Sequence, residues 1–238
     1  MAPARGRRWL SRCLAGALFA VALTMPQPAS RGAEFEVDLA LVLAIDCSFS
    51  VDASEFRLQM EGLGQAFQRA EVKRAIRSGT RQRIAVTAIQ WSDIDNQMVV
   101  IPWTVIAGDA DADELGKTLA RMPRRLAEGG TAIANALVYS TALFAAAPSA
   151  ERRVIDMSSD GRNNMGPPVN AARDRIVAQG ITINALPILN EWPTLDIYFE
   201  NQVVGGEGHF VLPANDYEAY ANAIFRKLIR EITGPGIS

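Results

Sequence analysis

The chain has a single histidine, His209, and two cysteines, Cys13 and Cys47, among its 238 residues. So few nitrogen and sulfur donors leave zinc coordination without support. A Ser-His-Asp set fares no better, because no Gly-x-Ser-x-Gly elbow occurs for His209 to serve. No glycine-rich loop follows the first apolar strand, which argues against nucleotide binding. No internal repeat or low-complexity stretch occurs past the leading segment. Basic charge is not in excess either. A formal net charge of −2 and a pI near 5.6 argue against a nucleic-acid surface. What is present, 49% apolar and 21% charged residues, is the make-up of one folded globular domain with ample length for a core.

The first 33 residues differ from the rest. Arg5, Arg7, Arg8 and Arg12 precede an apolar stretch at 13–25, followed by Pro26, Pro28 and Ala29. Basic, apolar and turn-forming segments in that order read as a secretory signal. The apolar stretch is too short and alanine-rich for a membrane span. Arg7-Arg8 is a loose twin-arginine pattern. Cleavage is expected between Met25 and Ala33, leaving a mature chain without a transmembrane anchor. Residues 1–33 are thus the signal and processing segment, and 36–233 the folded domain. An exported chain then retains only Cys47, so no intrachain disulfide is expected. Cys47 reads as a small buried hydrophobe pointing away from its neighbours.

The folded part is organised around 39–51, Leu-Ala-Leu-Val-Leu-Ala-Ile-Asp-Cys-Ser-Phe-Ser-Val. An apolar run without alternation predicts a strand buried on both faces, as in a parallel sheet. Asp52 and Glu55 then form a capping-box pair, so a helix follows. Asp46, Ser48 and Ser50 fall in the strand-to-helix loop at the carboxyl end of the strand, where open α/β sheets place their ligands. One carboxylate and two hydroxyls on alternate positions form a hard, oxygen-only set suited to Mg²⁺, Mn²⁺ or Ca²⁺. Taken alone, the triplet reads first as helix-capping chemistry and only second as a metal site.

Further along, Gly129-Gly130-Thr131 opens a helix and Ser159-Asp160-Gly161 closes an apolar strand. The series Asp46, Ser48, Ser50, Thr131, Asp160 resembles the von Willebrand factor A (vWA) domain with its metal-ion-dependent adhesion site. The likeness runs from about residue 36 to 232. More narrowly, the segments at 37–44, 153–156 and 180–184 are similar to a bacterial branch, the DUF1194 group. The resemblance implies a Rossmann-like sheet with a short antiparallel edge. It also implies that Ser48 and Ser50 bind the ion directly, Thr131 directly or through water, and Asp46 and Asp160 mostly through water. A metal ringed by neutral hydroxyls stays electrophilic, so a partner protein's Asp or Glu completes its coordination. Phe49 occupies a spacer often taken by a small residue. Phe49, Arg162, Asn163 and Asn164 are the expected partner contacts. The expected location is the periplasm or the exterior of a bacterium.

Strands are expected at 84–91, 98–105, 153–158, 181–189 and 209–212, and helices at 53–70, 71–77, 112–122, 131–146, 167–179, 193–204 and from 215. Pro102 argues for an edge position. The alternation demands a doubly wound, mostly parallel sheet with helices on both faces. Asp156, inside a strand, reads as a hydrogen-bonded structural carboxylate. Asp93 and Asp95 read as turn residues. A competing function, a metal-dependent phosphohydrolase, needs a second acid two positions after the first. Ser48 stands there, so a binding module rather than an enzyme is expected.

Overall fold

The computed structural model describes residues 1–2 and 36–234. The secretory-signal reading rests on residues 5–33, which lie outside the described residues. The folded unit begins with β1 (Val37–Asp46), α1 (Ala53–Gln68), α2 (Ala70–Ser78), β2 (Ile84–Trp91) and β3 (Gln97–Ile106). It continues with α3 (Asp109–Ala120), α4 (Ile133–Leu143), β4 (Ala150–Ser159), α5 (Val169–Val177) and β5 (Thr182–Pro187), and closes with α6 (Leu195–Gln202) and α7 (Tyr217–Thr233). The sheet order is β3-β2-β1-β4-β5, with β3 alone antiparallel to its neighbour.

β1 is central, and its period of two explains its composition. Leu39, Leu41, Leu43 and Ile45 face Phe56, Met60, Leu63 and Phe67 of α1 and Tyr220, Ile224 and Leu228 of α7. Val42 and Ala44 face the opposite layer, with Ile133 and Leu137 of α4, Ile176 of α5 and Phe199 of α6. A strand covered on both sides has no solvent face for polar residues, hence the unbroken apolar run. α1 starts on the expected box: the Asp52 carboxylate accepts from the Ser54 and Glu55 N–H groups, and Glu55 accepts from the Asp52 N–H. β3 is one of the two edge strands, and Pro102 falls where its register against β2 shifts. A residue without an N–H is tolerated there.

Some elements differ from the sequence reading. Residues 209–212 form no strand; Val211 and Ala214 make isolated bridges to Ala185 and Ile188. The reason is local: Gly206 and Gly208 adopt positive φ just before, and Pro213 has no N–H to donate. α4 begins at Ile133 rather than 131, so Thr131 lies outside it, and no side chain of its N-cap Ala132 closes the helix. α3 begins at Asp109, three residues before the expected start at 112.

Asp156 is buried in the core as expected, but an ion pair rather than the expected hydrogen bonds holds it, and its partner, Lys227, carries no signal of burial in its sequence context. Lys227 of α7 is wholly buried and places Nζ 2.5 Å from Asp156 Oδ1 and 2.7 Å from Glu231 Oε1. Asn184 of β5 donates to the same Glu231 oxygen at 3.0 Å. One ammonium cannot neutralise two buried carboxylates. Burial, with Asp156 beside it, pushes the Glu231 carboxyl up to about 8.

Two outcomes follow from this cluster. Lys227→Met strands a buried carboxylate and should lower stability by about 3–5 kcal/mol in urea denaturation. A carboxyl raised by folding contributes its stability below the free value of 4.5 and loses it as pH rises through about 8. The urea midpoint should therefore fall between pH 5 and pH 9, and Glu231→Gln should reduce that fall.

Candidate metal centre

The two central parallel strands run out of the sheet at the same level. In their register Ile45 stands opposite Ser158, so Asp46 and Asp160 leave β1 and β4 side by side. Chain connections diverge here to opposite faces, which opens a crevice at the carboxyl ends of the strands. A third loop closes over it. The Phe49 N–H donates to the Gly129 carbonyl at 2.9 Å, and the Ala132 N–H to the Ser92 carbonyl at 2.8 Å. Asn164 then holds Thr131: its Oδ1 accepts the Thr131 N–H at 2.7 Å, and its own N–H donates to the Thr131 carbonyl at 3.0 Å.

All five predicted oxygen-bearing residues meet. Ser48 Oγ and Ser50 Oγ are 3.2 Å apart, and Ser50 Oγ donates to Asp160 Oδ1 at 2.5 Å. A Cβ built on Gly161 would lie 3.3 Å from Thr131 Oγ1 and 3.8 Å from Ser50 Oγ, so the threonine hydroxyl faces the same small space. The absence of a side chain at 161 keeps that space open. Asp46 Oδ1 accepts the Ser48 N–H at 2.7 Å, and its Oδ2 accepts the Ser159 hydroxyl. Asp160 Oδ2 accepts the Tyr217 hydroxyl at 2.9 Å.

Both carboxylates are completely buried, as is Ser48, while Ser50 is half-buried. Neither carboxylate belongs to an ion pair among the described residues. Arg124 is the nearest cationic influence on Asp160, and its guanidinium is occupied by the carbonyls of Val51 and Asp52. Burial, and then the charge of Asp160, pushes Asp46 up to about 7; burial also raises Asp160. Two hard oxygen-donor groups thus stand close together, lined by hydroxyls and in no ion pair among the described residues. Among the described residues no three His, Cys, Asp or Glu side chains converge, so the set here is two carboxylates completed by hydroxyls. The donor set is chemically that of a hard divalent cation.

The crevice opens into a cleft of about 510 Å³ lined by Phe49, Ser50, Thr131, Gly161, Arg162 and Trp192 among others. Phe49 is 70% exposed on its rim. Arg162 stacks over Trp192 and Tyr198, 5.1 and 5.6 Å from their centroids, and donates to Thr194 Oγ1. Asn164 lines the cleft with its amide engaged by Thr131. Asn163 turns toward α4, where its Oδ1 accepts the Ala134 N–H at 3.3 Å. Asp93 accepts the N–H of Ile94 in its own loop. His209 lies in another cleft, with Arg153, Thr182 and Arg230. Cys47 is buried beside β1, and burial pushes its thiol up to about 12. Ser159 and Tyr217 were not singled out from the sequence for the site. Ser159 adjoins Asp160 in sequence and has a local signal; Tyr217 comes 57 residues later and has none.

Solved structures share this architecture. Proximal thread matrix protein 1 from the mussel byssus superposes with a TM-score of 0.63 at 16% identity, over 84% of this chain and 49% of its own. This chain thus spans about half the length of that protein, which has also been solved with a zinc-occupied MIDAS motif. A von Willebrand factor type A protein from Catenulispora acidiphila gives 0.54 at 19% identity, over 82% of this chain and 43% of that one. The vWF domain of the type V pili tip protein Mfa5 from Porphyromonas gingivalis gives 0.56 at 13% identity, over 82% and 95% of the respective chains. The fold is that of a vWA domain. The sequence model of DUF1194, described as a protein of unknown function, matches residues 36–236, and the chain belongs to that family. No curated protein matches the sequence.

Tyr217 ties the last helix to the site, and its loss should be measurable. Tyr217→Phe removes a donor from a buried carboxyl and should cost about 1–3 kcal/mol in urea denaturation. Tyr220→Phe, whose hydroxyl sits 3.4 Å from Ser158 Oγ, should cost less.

Proposed function

We propose that the chain is an exported, metal-dependent binding module that captures an acidic group of a protein partner. The observation that carries this reading is the pair of buried carboxylates, Asp46 and Asp160, ringed by the hydroxyls of Ser48, Ser50 and Thr131 and in no ion pair among the described residues. Ser48, Ser50 and Thr131 would hold the ion, with Asp46 and Asp160 fixing their hydroxyls or its waters. Mg²⁺ is the proposed occupant, with Mn²⁺ or Ca²⁺ as substitutes. Such an ion, once bound, supplies a Lewis-acidic position for an incoming carboxylate.

The chain's own residues prepare that position. Asp46 is locked by the Ser48 N–H and the Ser159 hydroxyl, and Asp160 by Tyr217. Asn164 holds the Thr131 backbone against the far wall. No step of water activation is supported, because Ser48 stands where an acid/base carboxylate would be required. Export is supported by the signal-like pattern of residues 5–33. An extracellular role is supported by the kinds of proteins that share the fold, among them the Lactobacillus rhamnosus GG pilus adhesin SpaC. No described helix is long and apolar enough to cross a membrane.

Millimolar Mg²⁺ or Mn²⁺ should stabilise the protein by about 2.7 kcal/mol at a hundredfold excess over Kd, read as a rise in Tm. Ser48→Ala with Ser50→Ala should abolish the rise while leaving the metal-free Tm within a few degrees. An undiminished rise in that variant would refute the site. Capture of a partner from periplasmic extract should require Mg²⁺ and reverse with chelator.

A further inference from the structure

Most large apolar side chains left exposed on this surface stand singly, such as Met98 and Val105 on β3, Val138 on α4 and Ile197 on α6. Scattered exposure of that kind needs no explanation. Four others do not stand singly. Phe49, Ile94, Met165 and Trp192, exposed by 70, 39, 38 and 46%, come from four separate loops at the carboxyl end of the sheet.

Each is held in place around the crevice. Phe49 lies between the two serines, its N–H bonded to Gly129. Met165 lies over Gly130 and fills the space a side chain there would need. Ile94 follows Asp93, which packs on Gly129, and its carbonyl accepts the Asn135 amide at 3.2 Å. Trp192 lies under the Arg162 guanidinium, itself tethered to Thr194. Aromatic, methionine and arginine side chains at the centre of a surface patch are what protein interfaces concentrate, and pre-set side chains lower the cost of ordering on binding.

We infer that this apolar collar selects the partner: the captured Asp or Glu sits in a protein loop between large apolar side chains, which pack on Phe49, Trp192, Met165 and Ile94. The inference rests on the metal-dependent capture proposed above and specifies the partner surface that accompanies the acid. Charge complementarity sets the register, because the carboxylate goes to the hydroxyl-lined bottom of the cleft, away from Glu191 on its rim, while the flanking groups meet Phe49 and Trp192. The cleft, at about 510 Å³, is in the range that receives several side-chain-sized groups.

The probe is a phage-displayed library of cyclic seven-residue peptides, panned on the immobilised full chain in Mg²⁺ and eluted with EDTA. The eluted pool should carry Asp or Glu flanked by Phe, Trp, Tyr, Leu, Ile or Met. A synthetic member should bind at least tenfold more weakly to Phe49→Ser with Trp192→Ser, a variant whose Mg²⁺ affinity by calorimetry is unchanged. A pool of acidic peptides with polar flanks would overturn the collar and leave metal-dependent capture standing. A pool without acidic peptides would overturn both. Sedimentation with phosphatidylglycerol vesicles, unaffected by EDTA and lost in the double variant, would assign the collar to a lipid surface and overturn the inference.

Discussion

Two carboxylates cannot remain charged, dry and adjacent without compensation. Asp46 and Asp160 are forced into that position by the parallel register of β1 and β4, which ends both strands at one level. A proton or a cation must supply the missing charge, and the raised proton affinity of Asp46 is the metal-free expression of that demand. The surrounding features serve the same end. Ser159, Tyr217 and the Ser48 N–H take up carboxylate oxygens, Arg124 grips the β1–α1 loop at Val51, and Gly161 leaves room at the centre.

α7 acts as a brace along β4 and β5. Its first turn reaches Asp160 through Tyr217 and approaches Ser158 through Tyr220, and its middle grips Asp156 through Lys227. Near its end Glu231 meets Asn184, and Arg152 of β4 donates to the carbonyls of Glu231 and Ile232 at 2.7 Å each. Apolar packing alone would let a helix slide on the sheet. Polar contacts at four levels fix its register, and they tie the site to the last element of the fold.

The sequence was most legible where structure is decided locally. β1 announced itself because both its faces are covered, and α1 because its cap needs only Asp52 and Glu55. The site loops were legible because hydroxyls and acids cluster within a few positions. Tyr217 and Lys227 were not legible as polar partners, since their partners lie 57 and 71 positions away and sequence spacing says nothing of such pairings. The strand expected at 209–212 was overread because its apolar residues outweighed Gly206, Gly208 and Pro213, which dominate the backbone there. Thr131 occupies a place that looks like a helix cap, but the helix opens two residues later and the hydroxyl faces the crevice.

Cys47 sits directly behind the crevice, sealed under the apolar layer of β1. The reactive species of cysteine is the thiolate, and burial has all but eliminated it. The described domain therefore has no bridge to be reduced and no accessible thiol to be oxidised. The cohesion of the described residues rests on packing and polar contacts, and on no thiol–disulfide balance around them.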